Sequence, residues 1–243
     1  MADNTEATLF TNLEFLVGQV VPLGVSFKPP NPHSFAAVMQ ANLLAALPLR
    51  TDFQQESSLE TLKRHERAEM HKMLFALCGD LIKYCKSARW SESRVNTLIS
   101  FSRRLKGRPA KAREDDPATP DIDESRQGHS TAQTSYPSRT EHFANFVETL
   151  RAKGDFDPSE ERFKLATLDA LVAALRAANT EISAAVVNKA QARAALDALL
   201  YTNPDNLVDA ANSAKLYLSS SFKQVYQSVR RMRFEKPKRL VKV

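Results

Sequence analysis

Glycine is scarce in this sequence, with six residues among 243. The glycines are scattered, so the glycine-rich loops that bind phosphate groups are missing, as is the G-x-S-x-G motif of many hydrolases. No run of 18 apolar residues occurs, which argues against a transmembrane helix. The opening residues, MADNTEATLF, lack the basic start of a secretory signal, and we expect a cytoplasmic protein.

Cysteine is equally rare. Cys78 and Cys85 are seven positions apart in a helical pattern, where two turns separate them by roughly 10 Å, beyond the reach of a disulfide. They lack the spacing and the partners of a zinc site, and neither has a histidine or an acid placed to activate it as a nucleophile. We interpret both as buried thiols, which suits a reducing compartment.

The histidines form no recognisable metal or catalytic motif. Only His65 and His71 are close, in HERAEMH, and a spacing of six places them about 120° apart around a helix. A zinc-protease helix needs a spacing of four, and a di-iron bundle needs glutamate three residues before histidine, whereas Glu69 is two before His71. We therefore predict a solvated polar helix face, with no metal and no cofactor.

Alanine and leucine are abundant and no stretch is typical of a strand, so we predict an all-α fold. Residues 107–139 contain four prolines and no leucine, valine, phenylalanine or methionine, and they cannot bury enough apolar surface to form a core. Their acidic residues lack the spacing of a calcium loop. We predict a flexible linker at 107–138, a first helical repeat at 1–106, a second at 139–232 and a basic tail at 233–243.

The two halves resemble each other in sequence. Each contains a glycine, then Phe-x-Pro, then a second phenylalanine and an apolar patch that ends in Ala-Ala-Leu. The matching positions are 128 to 130 residues apart, and they are Phe27 and Phe156, Pro29 and Pro158, Phe35 and Phe163, and Leu47 and Leu175. Residues 91–108 match 221–238 at a spacing of 130. Because the matches keep their order at a near-constant spacing, we interpret the halves as copies of one unit.

The spacing of apolar residues predicts four helices in each half. In the first half they cover 8–22, 34–47, 57–88 and 91–105, and Pro48 is expected to end the second. In the second half they cover 139–152, 160–178, 181–202 and 205–220, followed by a short helix to Arg231, with Thr180 and Asp205 as caps. We therefore expect two tandem, homologous, up-and-down four-helix bundles joined by a disordered linker, which could pack as a pseudo-twofold pair.

The predicted inner faces consist almost entirely of leucine, valine, alanine, methionine and phenylalanine. An enzyme needs converging polar groups, so we expect no catalytic residues and no enzymatic activity. Phe27 and Phe156 could line a ligand pocket at equivalent places in both halves, or each could close the end of its bundle, which is the commoner role of such aromatic residues. We therefore do not expect a small-molecule ligand.

Positive charge is concentrated at the C-terminus. The chain has 34 basic and 28 acidic residues, and residues 230–243 hold seven of the basic and one of the acidic residues, so the rest of the chain carries no net charge. The seven are Arg230, Arg231, Arg233, Lys236, Lys238, Arg239 and Lys242. A helix dipole favours cations at the helix C-terminus by ~0.3–1 kcal/mol each, which accounts for the first of them but not for those beyond Pro237.

We expect a non-enzymatic interaction or structural protein that contacts an acidic protein surface, or a second copy of itself, through these seven residues. Nucleic acid is an alternative partner, although the nearby aromatic residues Phe222, Tyr226 and Phe234 belong to no recognised base-reading fold. An anionic membrane surface is another, although residues 229–243 lack the wide apolar face of an interfacial helix. A terminus that only improves solubility is the simplest alternative.

Overall fold

The computed structural model describes residues 6–107 and 135–236, so most of the predicted linker, residues 108–134, lies outside the described residues. The described residues form helices and no strand, which confirms the predicted all-α class. The α-helices are α1 (Glu6–Val20), α2 (Ala36–Ser87), α3 (Glu92–Leu105), α4 (Tyr136–Arg151), α5 (Leu165–Asp197), α6 (Leu207–Ser221) and α7 (Lys223–Val229). Short 3₁₀ turns cover Val21–Ser26, Pro32–Ser34 and Glu161–Phe163, and a π-helical turn, Ala198–Thr202, continues α5.

The chain divides into two compact units, and each is made from both halves of the sequence. Unit 1 contains the described residues of Met1–Ser58 and Val187–Val243, and unit 2 contains those of Leu59–Val186. Helices α2 and α5 each contribute one part to each unit. The units therefore do not coincide with the sequence segments 1–106 and 139–232, because helices that are distant in sequence pack together.

Helix α2 passes through Pro48, so the predicted helix end at this residue is wrong and the two helices expected there are one. Proline inside a helix removes one backbone hydrogen bond and costs about 3 kcal/mol. Residues on both sides of Pro48 pack into unit 1: Leu43 and Ala46 are buried, and Leu49 and Phe53 are partly buried. Burial of these side chains outweighs the cost of the proline.

Helix α5 is likewise continuous where two helices are predicted. Thr180, the expected cap, instead donates a hydrogen bond from its hydroxyl to the carbonyl oxygen of Arg176, 3.2 Å away in the preceding turn. A hydroxyl bonded in this way caps nothing, and the helix continues. At the next helix, Asn206 rather than Asp205 is the cap, and its Oδ1 accepts a hydrogen bond from the N–H of Asp209 at 2.9 Å.

The core of unit 1 gathers α1, the first part of α2, the end of α5, α6 and the end of α7. All six residues that the sequence pattern places on one face of α1 are buried there: Leu9, Phe10, Leu13, Leu16, Val17 and Val20. The hydroxyl of Ser34 donates to the carbonyl oxygen of Ala210 in α6 at 2.9 Å, and the two residues are 176 positions apart in sequence. The unit is therefore held together by contacts that no local pattern predicts.

Two stretches, Glu6–Ser26 and Leu165–Ser221, have the length and composition of membrane helices, with mean hydropathies of 1.3 and 1.4. The same composition is typical of core helices and of signal sequences. Helix α1 buries its apolar face in unit 1. The expectation that no segment spans a membrane stays a prediction.

The core of unit 2 gathers the second part of α2, α3, α4 and the first part of α5. Cys78 and Cys85 are fully buried in it and are not bonded to each other, which confirms their interpretation as buried thiols. Burial raises the pKa of Cys78 to about 12 and the pKa of Cys85 to about 11. Both thiols are therefore protonated at neutral pH and are poor nucleophiles.

One buried phenylalanine closes the end of each unit. Phe27 and Phe156 each follow a glycine with positive φ, Gly24 and Gly154 respectively, which turns the chain after the first helix of its half. Ring centroids are 5.4 Å apart for Phe27 and Tyr217, 6.2 Å for Phe27 and Phe222, 5.6 Å for Phe156 and Tyr84, and 5.9 Å for Phe156 and Trp90. Both phenylalanines are core residues, as expected for side chains that close a bundle.

We predict that Cys78 and Cys85 do not react with a thiol reagent in the folded protein at mildly alkaline pH, because both are buried and protonated. Labelling should follow the rate of unfolding and become complete in urea. The variant C78A/C85A, which should give no labelling in either condition, is the control. Rapid labelling of folded chains would contradict the burial of these thiols.

Candidate functional site

The C-terminal segment, residues 229–236, is folded against unit 1. Val229 and Phe234 are buried in the core. Three successive backbone carbonyl oxygens accept side-chain hydrogen bonds: Met232 from Lys215 Nζ at 2.7 Å, Arg233 from Asn12 Nδ2 at 3.2 Å, and Phe234 from Asn212 Nδ2 at 2.9 Å. These donors satisfy carbonyl groups that lie beyond the end of α7. The segment therefore presents its other side chains from defined positions.

Four of the seven residues predicted to bind a partner lie in the C-terminal segment. The side chains of Arg230, Arg231 and Arg233 are exposed, and none of them forms an ion pair or a hydrogen bond within the part of the chain that the structure describes. Lys236 differs, because its Nζ lies 3.3 Å from Asp197 Oδ2 and above an aromatic ring. The other three, Lys238, Arg239 and Lys242, lie outside the described residues.

The three unpaired arginines contrast with six arginines elsewhere in the fold, each of which pairs with a carboxylate. Those pairs are Arg64–Glu60, Arg94–Asp155, Arg151–Asp169, Arg162–Glu160, Arg176–Glu141 and Arg193–Glu6, with N–O distances between 2.5 and 3.1 Å. Three cations within four residues, on a folded segment, create a local excess of positive charge.

The C-terminal segment runs antiparallel to α1. Asn12, near the start of α1, bonds to the backbone of Arg233, and Gln19, near its end, accepts a hydrogen bond from the hydroxyl of Ser228 at 3.4 Å. The end of α1 therefore lies beside Ser228 of α7.

The loop that follows α1 exposes apolar side chains. Val21 is 40% exposed and Val25 is 86% exposed. Together with Phe35, which is 38% exposed, they line an open groove of about 620 Å³. The ring of Phe27, one of the two residues considered for a ligand pocket, forms part of its wall. The groove and the unpaired arginines both belong to unit 1.

A second cluster of polar groups, which the sequence analysis does not predict, lies inside unit 2. His71 is 1% exposed, so the predicted solvated face is wrong at this position, whereas His65 is exposed as expected. The imidazole packs on Tyr136, with 4.9 Å between ring centroids. The guanidinium carbons of Arg67 and Arg139 lie 4.0 and 5.6 Å from the centroid of the same tyrosine ring. We call these four residues the His71 cluster.

Four nitrogen atoms of the His71 cluster have no partner. Arg67 Nη1 donates to Asn179 Oδ1 at 3.4 Å, and Asn179 Nδ2 donates to Thr140 Oγ1 at 3.0 Å. Both ring nitrogens of His71 and the Nε atoms of Arg67 and Arg139, however, are buried without a hydrogen-bond partner among the described residues. An unpaired buried polar atom costs about 1–3 kcal/mol, so four of them in one place call for an explanation.

The surroundings keep His71 neutral at physiological pH. Burial lowers its pKa to about 4, and the positive charges of Arg139 and Arg67 act in the same direction. A neutral imidazole has one N–H donor and one acceptor nitrogen, and both lie unused in this cluster.

The sequence does contain a signal for the burial of His71. The buried residues Leu74, Cys78, Leu81 and Cys85 are spaced by four, three and four positions along α2, and His71 lies three positions before the first of them. This spacing places His71 on the same helix face as the core residues. The spacing of six residues between His65 and His71, considered alone, does not show that His71 shares a helix face with the core residues.

The chemistry of the His71 cluster is that of hydrogen-bond donors. In the described ranges, no three histidine, cysteine, aspartate or glutamate side chains are placed to hold a metal ion. Comparison with known proteins finds no matching family model, no matching curated protein and no matching solved structure. The arginines of the C-terminal segment and the His71 cluster are therefore interpreted from their own geometry.

We predict that the free energy of unfolding falls as the pH drops from about 6.5 to about 4. The unfolded chain protonates His71 near its ordinary pKa of 6.5, whereas the folded protein resists protonation down to about pH 4, so acid favours unfolding. The lowered pKa corresponds to roughly 3 kcal/mol over this range. Urea denaturation at several pH values measures the effect.

Two variants isolate the contribution of His71 to this pH dependence. His71→Phe should lose the contribution, while His65→Phe, at an exposed position of the same helix, should retain it. If His71→Phe keeps the full pH dependence of the parent protein, the buried, neutral state of His71 is disproved.

Proposed function

We propose that the protein is a non-enzymatic binding protein that contacts an acidic segment of a partner protein through Arg230, Arg231 and Arg233. The observation that carries this proposal is the exposure of these three arginines on a folded segment, where no described carboxylate pairs with them. Guanidinium groups bind carboxylates through two parallel hydrogen bonds, and such pairs set specificity and association rate. A partner carboxylate would give each arginine the kind of contact that six other arginines form within the fold.

The groove lined by Val21, Val25 and Phe35 in unit 1 supports a partner segment that also carries apolar side chains. Covering the exposed Val21 and Val25 removes apolar surface from water, which contributes about 25 cal/mol per Å². Where residues 21–25 read VPLGV, the residues 130 positions later read RAKGD, and Asp155 among them pairs with Arg94. The exposed apolar loop is therefore a feature of unit 1. We propose a partner segment with acidic and apolar side chains on adjoining faces.

We also propose that the two units derive from the duplication of one helical unit. Phe27 meets two aromatic rings at the end of unit 1, and Phe156 meets two at the end of unit 2, at closely similar distances. This supports the sequence match around the two phenylalanines. Each unit then combines the first helices of one copy with the last helices of the other, an arrangement that differs from two consecutive bundles.

We predict that the double variant R230E/R231E weakens binding of an acidic amphipathic peptide by about tenfold or more, because two attractive contacts become repulsive. The probe is a synthetic helical peptide with glutamates on one face and leucines on the other, and binding to the full chain is measured by fluorescence anisotropy. Val25→Ser should weaken binding of this peptide but not of an all-glutamate peptide of equal charge, because it removes an apolar side chain from the groove without changing the net charge.

The matched control is R103E/R104E at the end of α3, which changes the net charge equally and should leave affinity within about twofold of the parent protein. Equal losses in both double variants would show that net charge alone attracts the peptide, and would overturn the proposal. Preference for an oligonucleotide of the same charge would instead identify nucleic acid as the partner. Partition onto vesicles of phosphatidylcholine and phosphatidylserine, without binding to the peptide, would identify a membrane surface.

A further inference from the structure

Each unit has a polar cluster where the first turn of one helix meets a long helix. In unit 1, Arg193 Nη1 lies 2.5 Å from Glu6 in the first turn of α1, and its Nη2 lies 2.8 Å from Asp197 in α5. Two carboxylates therefore neutralise this partly buried cation. The residue 130 positions after Glu6 is Tyr136, in the first turn of α4, and the residue 130 positions before Asp197 is Arg67, in α2.

Unit 2 thus has an aromatic ring and a cation where unit 1 has two acids. Arg139 adds a second cation beside the ring of Tyr136. The acidic residues in the neighbouring turns are already held: Glu60 by Arg64 at 2.5 Å, and Glu66 and Glu181 by Lys63 at 3.1 and 3.0 Å. Among the described residues, no carboxylate pairs with Arg67 or Arg139. The positive charge of the His71 cluster is therefore not balanced by a described residue of unit 2.

We propose that Arg67, His71 and Arg139 form a binding site for one oxyanion group of a small molecule, a phosphate or a carboxylate. The four unpaired nitrogen atoms carry the inference, because at least three of them are N–H donors: Nε of each arginine and one nitrogen of His71. Three donors and two positive charges around a tyrosine ring match the acceptors and the negative charge of an oxyanion. This differs from the expectation that the protein has no small-molecule ligand.

His71 is buried, and Arg67, Arg139 and Tyr136 around it are each partly exposed. The four unpaired nitrogen atoms are themselves buried, so an anion reaches them only when these partly exposed side chains move aside. The chain provides rigidity, because Arg67 is bonded through Asn179 to Thr140. A side chain that is already ordered loses less conformational entropy on binding, and this raises the affinity for a small ion.

The acceptor nitrogen of His71 distinguishes two kinds of oxyanion. A phosphate that keeps one proton can donate that proton in a hydrogen bond to this nitrogen, while its other oxygens accept from the three N–H groups. A carboxylate accepts hydrogen bonds but donates none, and it leaves one nitrogen of His71 unpaired. We therefore expect phosphate to bind more tightly than acetate.

Binding of an anion should change the pKa of His71, and this change can be measured at that residue alone. Among the described residues, the charged and titratable groups that surround His71 are Arg67 on α2, and Tyr136 and Arg139 on α4, and none of these is an acid. A bound anion adds the missing negative charge, so it should raise the pKa of His71 from about 4 toward its ordinary value.

The test uses the full chain and two probes, sodium phosphate and sodium acetate, with sodium chloride at matched ionic strength as the reference. Nuclear magnetic resonance of the imidazole nitrogens follows His71 directly. We expect saturable shifts of the His71 signals with phosphate, weaker ones with acetate and none with chloride. The melting temperature should rise with the logarithm of the phosphate concentration above its dissociation constant.

Variants separate the site from general electrostatic attraction. Arg67→Gln and Arg139→Gln should each weaken phosphate binding by about tenfold or more, since each removes a charged donor. Arg64→Gln is the matched control, because Arg64 lies on the same helix, is more than half exposed and already pairs with Glu60; it should leave binding unchanged. If Arg67→Gln does not fold, Arg139→Gln alone carries the comparison.

The proposal is overturned if neither anion gives a saturable shift of His71, which would mean that water alone occupies the cluster. It is also overturned if Arg64→Gln weakens binding as much as Arg139→Gln. R230E/R231E should bind phosphate normally, because those arginines belong to unit 1, so this result does not depend on the acidic partner.

Discussion

The continuity of the two long helices, α2 and α5, is the constraint on which the rest of the structure depends. Each helix provides apolar residues to both units, and neither core is complete without one part of each helix. A break in α2 at Pro48 would separate Leu43 and Ala46 from Leu49 and Phe53. The free energy that burial of these four side chains contributes is larger than that of the one backbone hydrogen bond lost at the proline. The length of these helices is therefore determined by burial of their apolar side chains, which outweighs the local helix propensity of residues such as Pro48.

Some of the arginines discussed above are paired with carboxylates, and two groups of them are not. Six arginines have carboxylate partners inside the fold. Three of these pairs, those of Arg151, Arg162 and Arg176, are exposed on both sides and contribute little to stability on their own. Against this background, the arginines of the C-terminal segment and those of the His71 cluster stand out, because each group gathers positive charge without a described carboxylate partner. The arginines of the first group are exposed, whereas the second group includes four buried nitrogen atoms without a partner.

Local features were predictable from the sequence, and non-local ones were not. The buried face of α1 and the two thiols follow from helical spacing, because each of these residues reports on its own helix. Pro48 and Thr180 mislead, because their local preferences are outweighed by packing against helices far away in sequence. The burial of His71 was predictable from its spacing to Leu74. The contact of His71 with Arg139 on α4 was not predictable, because the sequence of neither helix shows which other helix it packs against.

The exchange of helices between the halves bears on how a chain of this kind is made. Ser34 bonds to Ala210, and α1 shares a core with α6, so the residues of α1 find these partners only after α6 has been synthesised. Contacts of such large sequence separation slow folding and leave apolar helix faces uncovered in the meantime. Until α6 has been synthesised, the apolar face of α1 therefore stays open to contacts with other apolar surfaces.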